Sequence, residues 1–471
     1  VAFLLLGAAP ARADDQAPPI GLKAPPGFEV SLYADDELAH DIFSLTIDAL
    51  GRVVVSGPGY IKILVDHAGG DRADEARLFA TPEQGAQGMG FHGRDLLCTA
   101  EGGLVRYRDR NGDDRADGPP DLFLHLQTGG EHDAHAIRRG PDGWWYVIVG
   151  NTGEIGPRYI TTTTSPVAKP RAGALLRLSP DLASGEILAH GFRNAYDFTF
   201  DAIGEIFTGD ADGERDLSLP WYLPNRCLHV LPGSDAGWVT ESWKRQDGFL
   251  DMPPVVAELG RGSPTGIVCY RHVQFPPEYH ASLYVLDWTY GRILTIRPRQ
   301  QGARVQGDVQ EFATAVEGHG FAPTSAAVGP EGPLYVAVGG RGTRGAVYRI
   351  HATDRPGVNP LKFPAATTPA DRLTFCLRCP EPLSSWSRRI WEPLARELGS
   401  EPFIQAAADE SRLAVERLRA IEILTEKFHG LDGDLLETLA RSSHPAVRVR
   451  AAWSLGRSET EHPRANVIAR F

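Results

Sequence analysis

The chain has 471 residues, 23% of them charged, and a formal net charge of −12. That acidic balance argues against nucleic acid or an anionic membrane surface as the main partner. The 51 glycines and 36 prolines suit a turn-rich β architecture better than a helical one, and the length allows more than one domain.

Taken in chain order, residues 1–13 read as a targeting segment. Val1–Ala9 is an apolar run, and Ala11-Arg12-Ala13 before Asp14 has the small-x-small form of a cleavage site. We expect the remnant of a secretory signal peptide, a mature chain from about Asp14, and a periplasmic or secreted protein. The run is too short to span a bilayer, and no later segment does so. Both ends of a longer protein are expected to be missing. Residues 14–24 form a lead-in.

Phe28–Tyr33 alternates as a strand. A recurring phrase follows, a turn with Gly and then three to five apolar or β-branched residues. Its copies start at Asp48, Gly93, Gly140, Asp201, His280 and Gly329. Six copies at irregular spacing predict a mainly β fold, a six-bladed β-propeller over residues 25–352. Near the first two copies, Asp66–Asp74 parallels Asp109–Asp117. Asp109, Asn111 and Asp113 have the D-x-N-x-D spacing of a calcium loop, although Asp114 replaces the usual Gly and no Glu stands at the twelfth position. A polar hairpin tip is the other reading.

Residues 353–385 read as a linker. From Trp386 to the end at 471 the apolar spacing turns helical, as in Trp391, Leu394, Ala395 and Leu398. The stretch Ser443–Leu455, with Pro445 opening a helix, has the form of an incomplete HEAT-like repeat. Cys376-x-x-Cys379 is followed by Pro380, which denies it haem attachment. A small disulfide or two unrelated thiols is the expectation there.

The chemistry-bearing stretch is Gly129–Gly153. His132 and His135 lie in a polar loop set just before the strand Trp144–Val149, which is how a rigid β scaffold presents titratable groups at one mouth. On a loop, H-x-x-H is a weak metal signal. Asp197, Asp210, Asp212 and Asp216 read either as capping residues of turns or as calcium ligands. Trp221, Tyr222, Trp238 and Trp288 read as blade core or funnel wall rather than sugar platforms.

Glu131-His132 before Gly140-Pro-Asp-Gly143, Gly191-Phe-Arg193-Asn194 and Gly237-Trp238 resemble the soluble quinoprotein sugar dehydrogenases. Phe192–Asn194, Asp210–Asp212, Pro220–Tyr222, Gly262–Gly266, Leu286–Arg292 and Gly339–Gly342 are similar to a group of exported bacterial proteins labelled membrane-bound dehydrogenases. Those carry a six-bladed propeller, HEAT repeats and often a c-type cytochrome. The resemblance implies a calcium- and quinone-dependent oxidoreductase that passes hydride from a sugar or polyol to pyrroloquinoline quinone (PQQ). It implies His132 as general base with Glu131 beside it, and Arg193 and Asn194 on the quinone. Gln87, Arg292 and Arg341 are the further cofactor contacts expected, and Asp210 and Asp212 the calcium loop. A cytochrome c is the implied electron acceptor, since this chain has no haem motif. The family's quinone-binding lysine falls near Thr289–Tyr290 and its arginine pair on Ala322-Pro-Thr324. Arg261, Arg341 or Arg344 are the candidate substitutes. Elementary chemistry agrees with the scheme: alcohol oxidation needs a near-neutral base, a cation and a hydride acceptor that no side chain supplies. The alternatives are a calcium-dependent lactonase-type hydrolase and a non-catalytic scaffold binding glycan or protein.

Overall fold

Each of the six turn-plus-strand phrases becomes the first hairpin turn and second strand of one four-stranded sheet. The computed structural model describes residues 21–457, apart from 70, 221, 241–242, 246–247, 303, 317 and 363–366. The expected signal peptide and Trp221 lie outside the described residues.

The chemistry of one turn shows why the phrase repeats. Asp48 Oδ1 accepts the backbone N–H groups of Leu50 and Arg52, and Gly51 supplies the positive φ of 85° that lets the chain reverse. The apolar run that follows, Val53–Gly57, is buried along its whole length. It lies between neighbouring blades, so the usual in/out alternation disappears.

Numbered in chain order, the blades begin with the inner strands Ser44–Ile47, Gly88–His92, Ala134–Arg139, Asn194–Phe200, Pro264–Cys269 and Pro323–Val328. Successive inner strands touch, and the sixth touches the first, so the ring is closed. Closure uses the chain's start: Phe28–Ala34 pairs with Ala346–Ala352 as the outermost strand of blade 6, in the register Val30 opposite Ile350. Leu22–Lys23 adds a fifth strand to blade 5. Cores lie between adjacent sheets, as where Val54, Ile61 and Ile63 of blade 1 meet Phe91, Leu96 and Val105 of blade 2.

The two faces of the ring differ. The first-hairpin turns lie on the underside. The upper mouth collects the loops that lead into the inner strands, together with the connections 150–172, 212–224, 288–291 and 339–345.

Helices cover the underside: α1 Pro369–Arg378, α2 Ser385–Leu398, α3 Glu401–Ala408, α4 Ala414–Lys427, α5 Gly433–Ala440 and α6 Pro445–Leu455. Helix α1 falls within 353–385, the stretch read as linker. Its start is a capping box between Thr368 and Asp371. Cys376 and Cys379 are free, buried thiols at the end of α1, not a disulfide. Among the described residues no helix is long and apolar enough to cross a membrane.

Helix α2 plugs the channel from below. Trp386 is fully buried and donates from Nε1 to Val328 O at 3.1 Å, and Ser385 Oγ donates to Phe91 O at 2.9 Å. Arg388 reaches Gly140 O at 3.0 Å and pairs with Glu392 and Glu426, which Arg139 of blade 3 also pairs. Glu381 accepts the Arg271 N–H at 2.6 Å, and burial pushes its carboxyl up to about 7. A carboxyl raised in the folded state favours folding while it stays protonated, and that contribution is lost as pH rises through about 7. Glu381→Gln keeps the acceptor and removes the ionisation. Relative to wild type, it should gain about 3 kcal/mol between pH 5 and pH 9 in denaturant titrations. An unchanged difference at the two pH values would contradict this.

Candidate functional site

Blade 3 sets the central histidine. Its inner strand starts at Ala134, and the loop before it is tied down by Asp133, which accepts Gly130 N at 2.8 Å and Thr152 Oγ1 at 2.8 Å. A Cβ on Gly150 would stand 2.4 Å from His132 O, so only glycine lets the two loops of this blade lie so close. His132 is thereby held at the upper mouth with Nδ1 2.6 Å from the side-chain amide of Asn151.

Two fixed neighbours orient that amide. Its nitrogen faces Arg193 O at 2.8 Å and His132 Nδ1 at 2.6 Å, and its oxygen accepts from Trp238 Nε1 at 3.3 Å. Nδ1 therefore accepts, and the neutral ring carries its proton on Nε2. Burial lowers the pKa of His132. Asn151 carries no motif signal, and sequence reasoning missed it. Glu131, expected beside His132, instead forms an exposed ion pair with Arg341. Blades 3 and 6 are opposite each other in the ring, so this pair spans the mouth.

His135 is not a partner ligand for His132. It is completely buried, its Nε2 lies 3.0 Å from Glu131 O and 3.2 Å from Asn194 Oδ1, and burial lowers its pKa to about 4. Tyr196 packs on the His135 ring, with centroids 4.3 Å apart, and donates to Phe43 O across the channel at 3.2 Å. Asn194 thus serves His135 with its side chain. Its main chain and that of Arg193 donate to Asp210.

The Arg193 guanidinium lies 5.4 Å from the Trp238 ring centre and donates to Ala211 O at 3.4 Å. Among the described residues it has no carboxylate partner. Gln87 lies just below the mouth, where its Oε1 is buried without a hydrogen bond. It lines a narrow cavity of about 50 Å³ with Tyr196 and Thr324. Arg292 is held by Asp287 at 2.8 Å, and Arg341 lies against Trp288 as well as Glu131. Trp288 donates from Nε1 to Gly339 O at 2.8 Å, which makes it wall. Arg344 is largely exposed at the rim.

The acids expected to hold calcium already have partners from the chain. Asp210 is buried, accepts the amides of Arg193 and Asn194, and is pushed up to about 6 by that burial. Asp212 accepts Gly213 N and pairs with the Lys244 ammonium, which also lies 2.8 Å from Asp216. Asp197 clasps Arg138 and accepts Ile267 N, joining blades 3, 4 and 5. On the underside, Asp109 accepts Gly112 N, Asn111 donates to Asp113, and Asp113 accepts Arg115 N. These are the bonds of a self-capped hairpin tip. No group of three or more metal-ligating side chains occurs among the described residues.

The fold has relatives of known structure. A glucose dehydrogenase-type oxidoreductase from Thermus thermophilus is 20% identical, with a TM-score of 0.52 over 69% of this chain and 99% of that one. The PQQ domain of pyranose dehydrogenase from Coprinopsis cinerea, in its holo form, is 14% identical, with a TM-score of 0.53 over 71% and 98%. A Trichoderma reesei protein of Carbohydrate-Active Enzymes Family AA12, in a calcium structure, is 11% identical, with a TM-score of 0.54 over 73% and 100%. At these identities the likeness establishes the propeller, not the chemistry. No curated protein matches the chain. The model of one family, described as a domain of unknown function (DUF7133), matches residues 20–338, which is most of the ring, and the chain belongs to that family.

Proposed function

We propose that the protein is an oxidoreductase of sugars or polyols that binds a quinone of the PQQ class in the upper mouth. The observation that carries this reading is the convergence of His132 and Arg193 on Asn151, which contacts the His132 imidazole and the Arg193 carbonyl. A cation with no carboxylate partner among the described residues and an imidazole thus share one mouth. The fold's similarity to a holo PQQ domain supports the choice of cofactor.

The residues present suit a planar polyanion. Arg193 is available for a carboxylate, and Trp238 and Trp288 wall the space. When bound, a quinone supplies the acceptor for the hydride that leaves the carbinol carbon. His132 takes the hydroxyl proton at Nε2. For that, the ring proton first passes from Nε2 to Nδ1 through water, and the Asn151 amide turns its oxygen to Nδ1–H, giving up its bonds to Arg193 O and Trp238 Nε1. Glu131 and Arg341 stand across the entrance and set how large a sugar can enter. The apolar leader at residues 1–13 supports export, with electrons leaving to an external carrier such as a cytochrome c.

Titration of the purified protein with PQQ, followed by absorbance and calorimetry, tests the reading. Saturable binding is expected, weakened about tenfold or more in Arg193→Ala through loss of a charge-assisted contact. Binding should be accompanied by sugar-dependent dye reduction. No saturable quinone binding, or binding indifferent to Arg193, would overturn it.

A further inference from the structure

The cluster around Asp212 is closed and charge-balanced. Lys244 sits on the short hairpin formed by Trp238–Thr240 and Trp243–Lys244, which lays it beside the mouth. Its side chain is 4% exposed, that of Asp212 5% and that of Asp216 11%. A buried ammonium persists only where carboxylates surround it, and here two do. The Arg226 guanidinium adds a second cation 3.7 Å from Asp212. Lys244 Nζ and the Arg193 guanidinium both lie against the Trp238 ring, at 5.6 and 5.4 Å from its centre. A divalent ion entering this loop would meet fixed positive charge on two sides. It would find the Asp212 and Asp210 oxygens already taken by an ammonium and by main-chain amides. Calcium takes six to eight oxygens, and the paired carboxylates of this loop do not supply them.

We propose that Lys244 is the resident cation of this mouth, an ammonium seated in the acidic loop that the resemblance assigns to calcium, so that the site binds its anionic ligand without a divalent ion. The Asp210–Asp216 loop then serves to seat Lys244 rather than to chelate. The inference rests on the quinone reading only for the identity of the ligand. The state of the loop can be read without any quinone.

The test uses the full chain purified in EGTA. Thermal unfolding and calorimetry are run with and without calcium chloride for wild type, Lys244→Arg and Lys244→Met. The expected result is a wild-type Tm that does not change with calcium, and no calcium binding heat. Lys244→Arg, which keeps the cation, should behave as wild type. Lys244→Met should lose several degrees in EGTA and regain them in calcium, because its uncompensated carboxylates then accept the ion. Saturable calcium binding by wild type, abolished in Asp212→Asn, would overturn the proposal. So would a Lys244→Met chain that calcium does not restabilise. Should Lys244→Met fail to fold, wild type and Lys244→Arg still decide. PQQ titrations run in parallel keep the two readings apart. Binding in EGTA supports the inference, and binding only with calcium sinks it. Absence of PQQ binding in both buffers sinks the quinone reading and leaves the calcium arms standing.

Discussion

Trp386→Ala is expected to destabilise the protein by about 4 kcal/mol, measured as a shift in denaturant midpoint. The tryptophan is completely buried in the first turn of α2 and belongs to the core shared by blades 6 and 1, with Leu45, Ile47, Ala337 and Val347. Truncation would open a cavity at the foot of the channel and strip Val328 O of its N–H donor. Both terms act at the joint between helices and ring, so protease should then cut within the connection after Ala352. Trp386→Phe keeps most of the volume and should cost nearer the value of one hydrogen bond, about 1 kcal/mol, plus a small packing loss. A destabilisation under about 1 kcal/mol in Trp386→Ala would show that the helices do not rest on this anchor.

His132→Gln is expected to lower turnover by about 10²- to 10⁴-fold, the usual range for a removed general base, while quinone binding stays intact. In wild type the acid limb should fall below the ordinary histidine value of about 6.5. Burial disfavours the charged ring, so the neutral, proton-accepting form persists to lower pH and activity falls only as pH drops through that lowered pKa. Asn151→Asp makes a sharper test. A carboxylate can only accept at Nδ1, so it selects the tautomer with a free Nε2 lone pair and raises the pKa of the ring. The acid limb should move up by about a unit or more, with turnover per neutral histidine increased. A structural role for Asn151 would lower activity without moving the limb, and that result would refute the amide-switch reading.

The ring was readable because its signal is local. Each of the six phrases holds its turn acid or glycine and its apolar strand within ten residues, and every one became a second strand. The helices were readable from Trp386 onward, where apolar spacing is dense. Helix α1 was hidden in the linker reading despite the Thr368–Asp371 cap, because it buries few side chains of its own. The mouth was readable residue by residue, but its pairings were not. His132 meets Asn151, Glu131 meets Arg341, and Asp212 meets Lys244 only after the sheets have curved round. Those partners lie in different loops, and no spacing rule joins them. The calcium reading of Asp109, Asn111 and Asp113 rests on spacing and that of Asp210 and Asp212 on the resemblance, and neither signal contains the partners those acids find in the fold.

The pairing of Phe28–Ala34 with Ala346–Ala352 has a consequence for how this chain matures. Phe28–Ala34, made early, must wait, edge unpaired, until nearly all of the ring's sequence has been synthesised. Contacts this far apart in the chain slow folding, and an open strand edge meanwhile invites pairing with other chains. Completion of the ring is therefore a late, single event. A nascent chain stopped before residue 346 would hold five finished sheets and no seal, a natural substrate for chaperones or proteolysis.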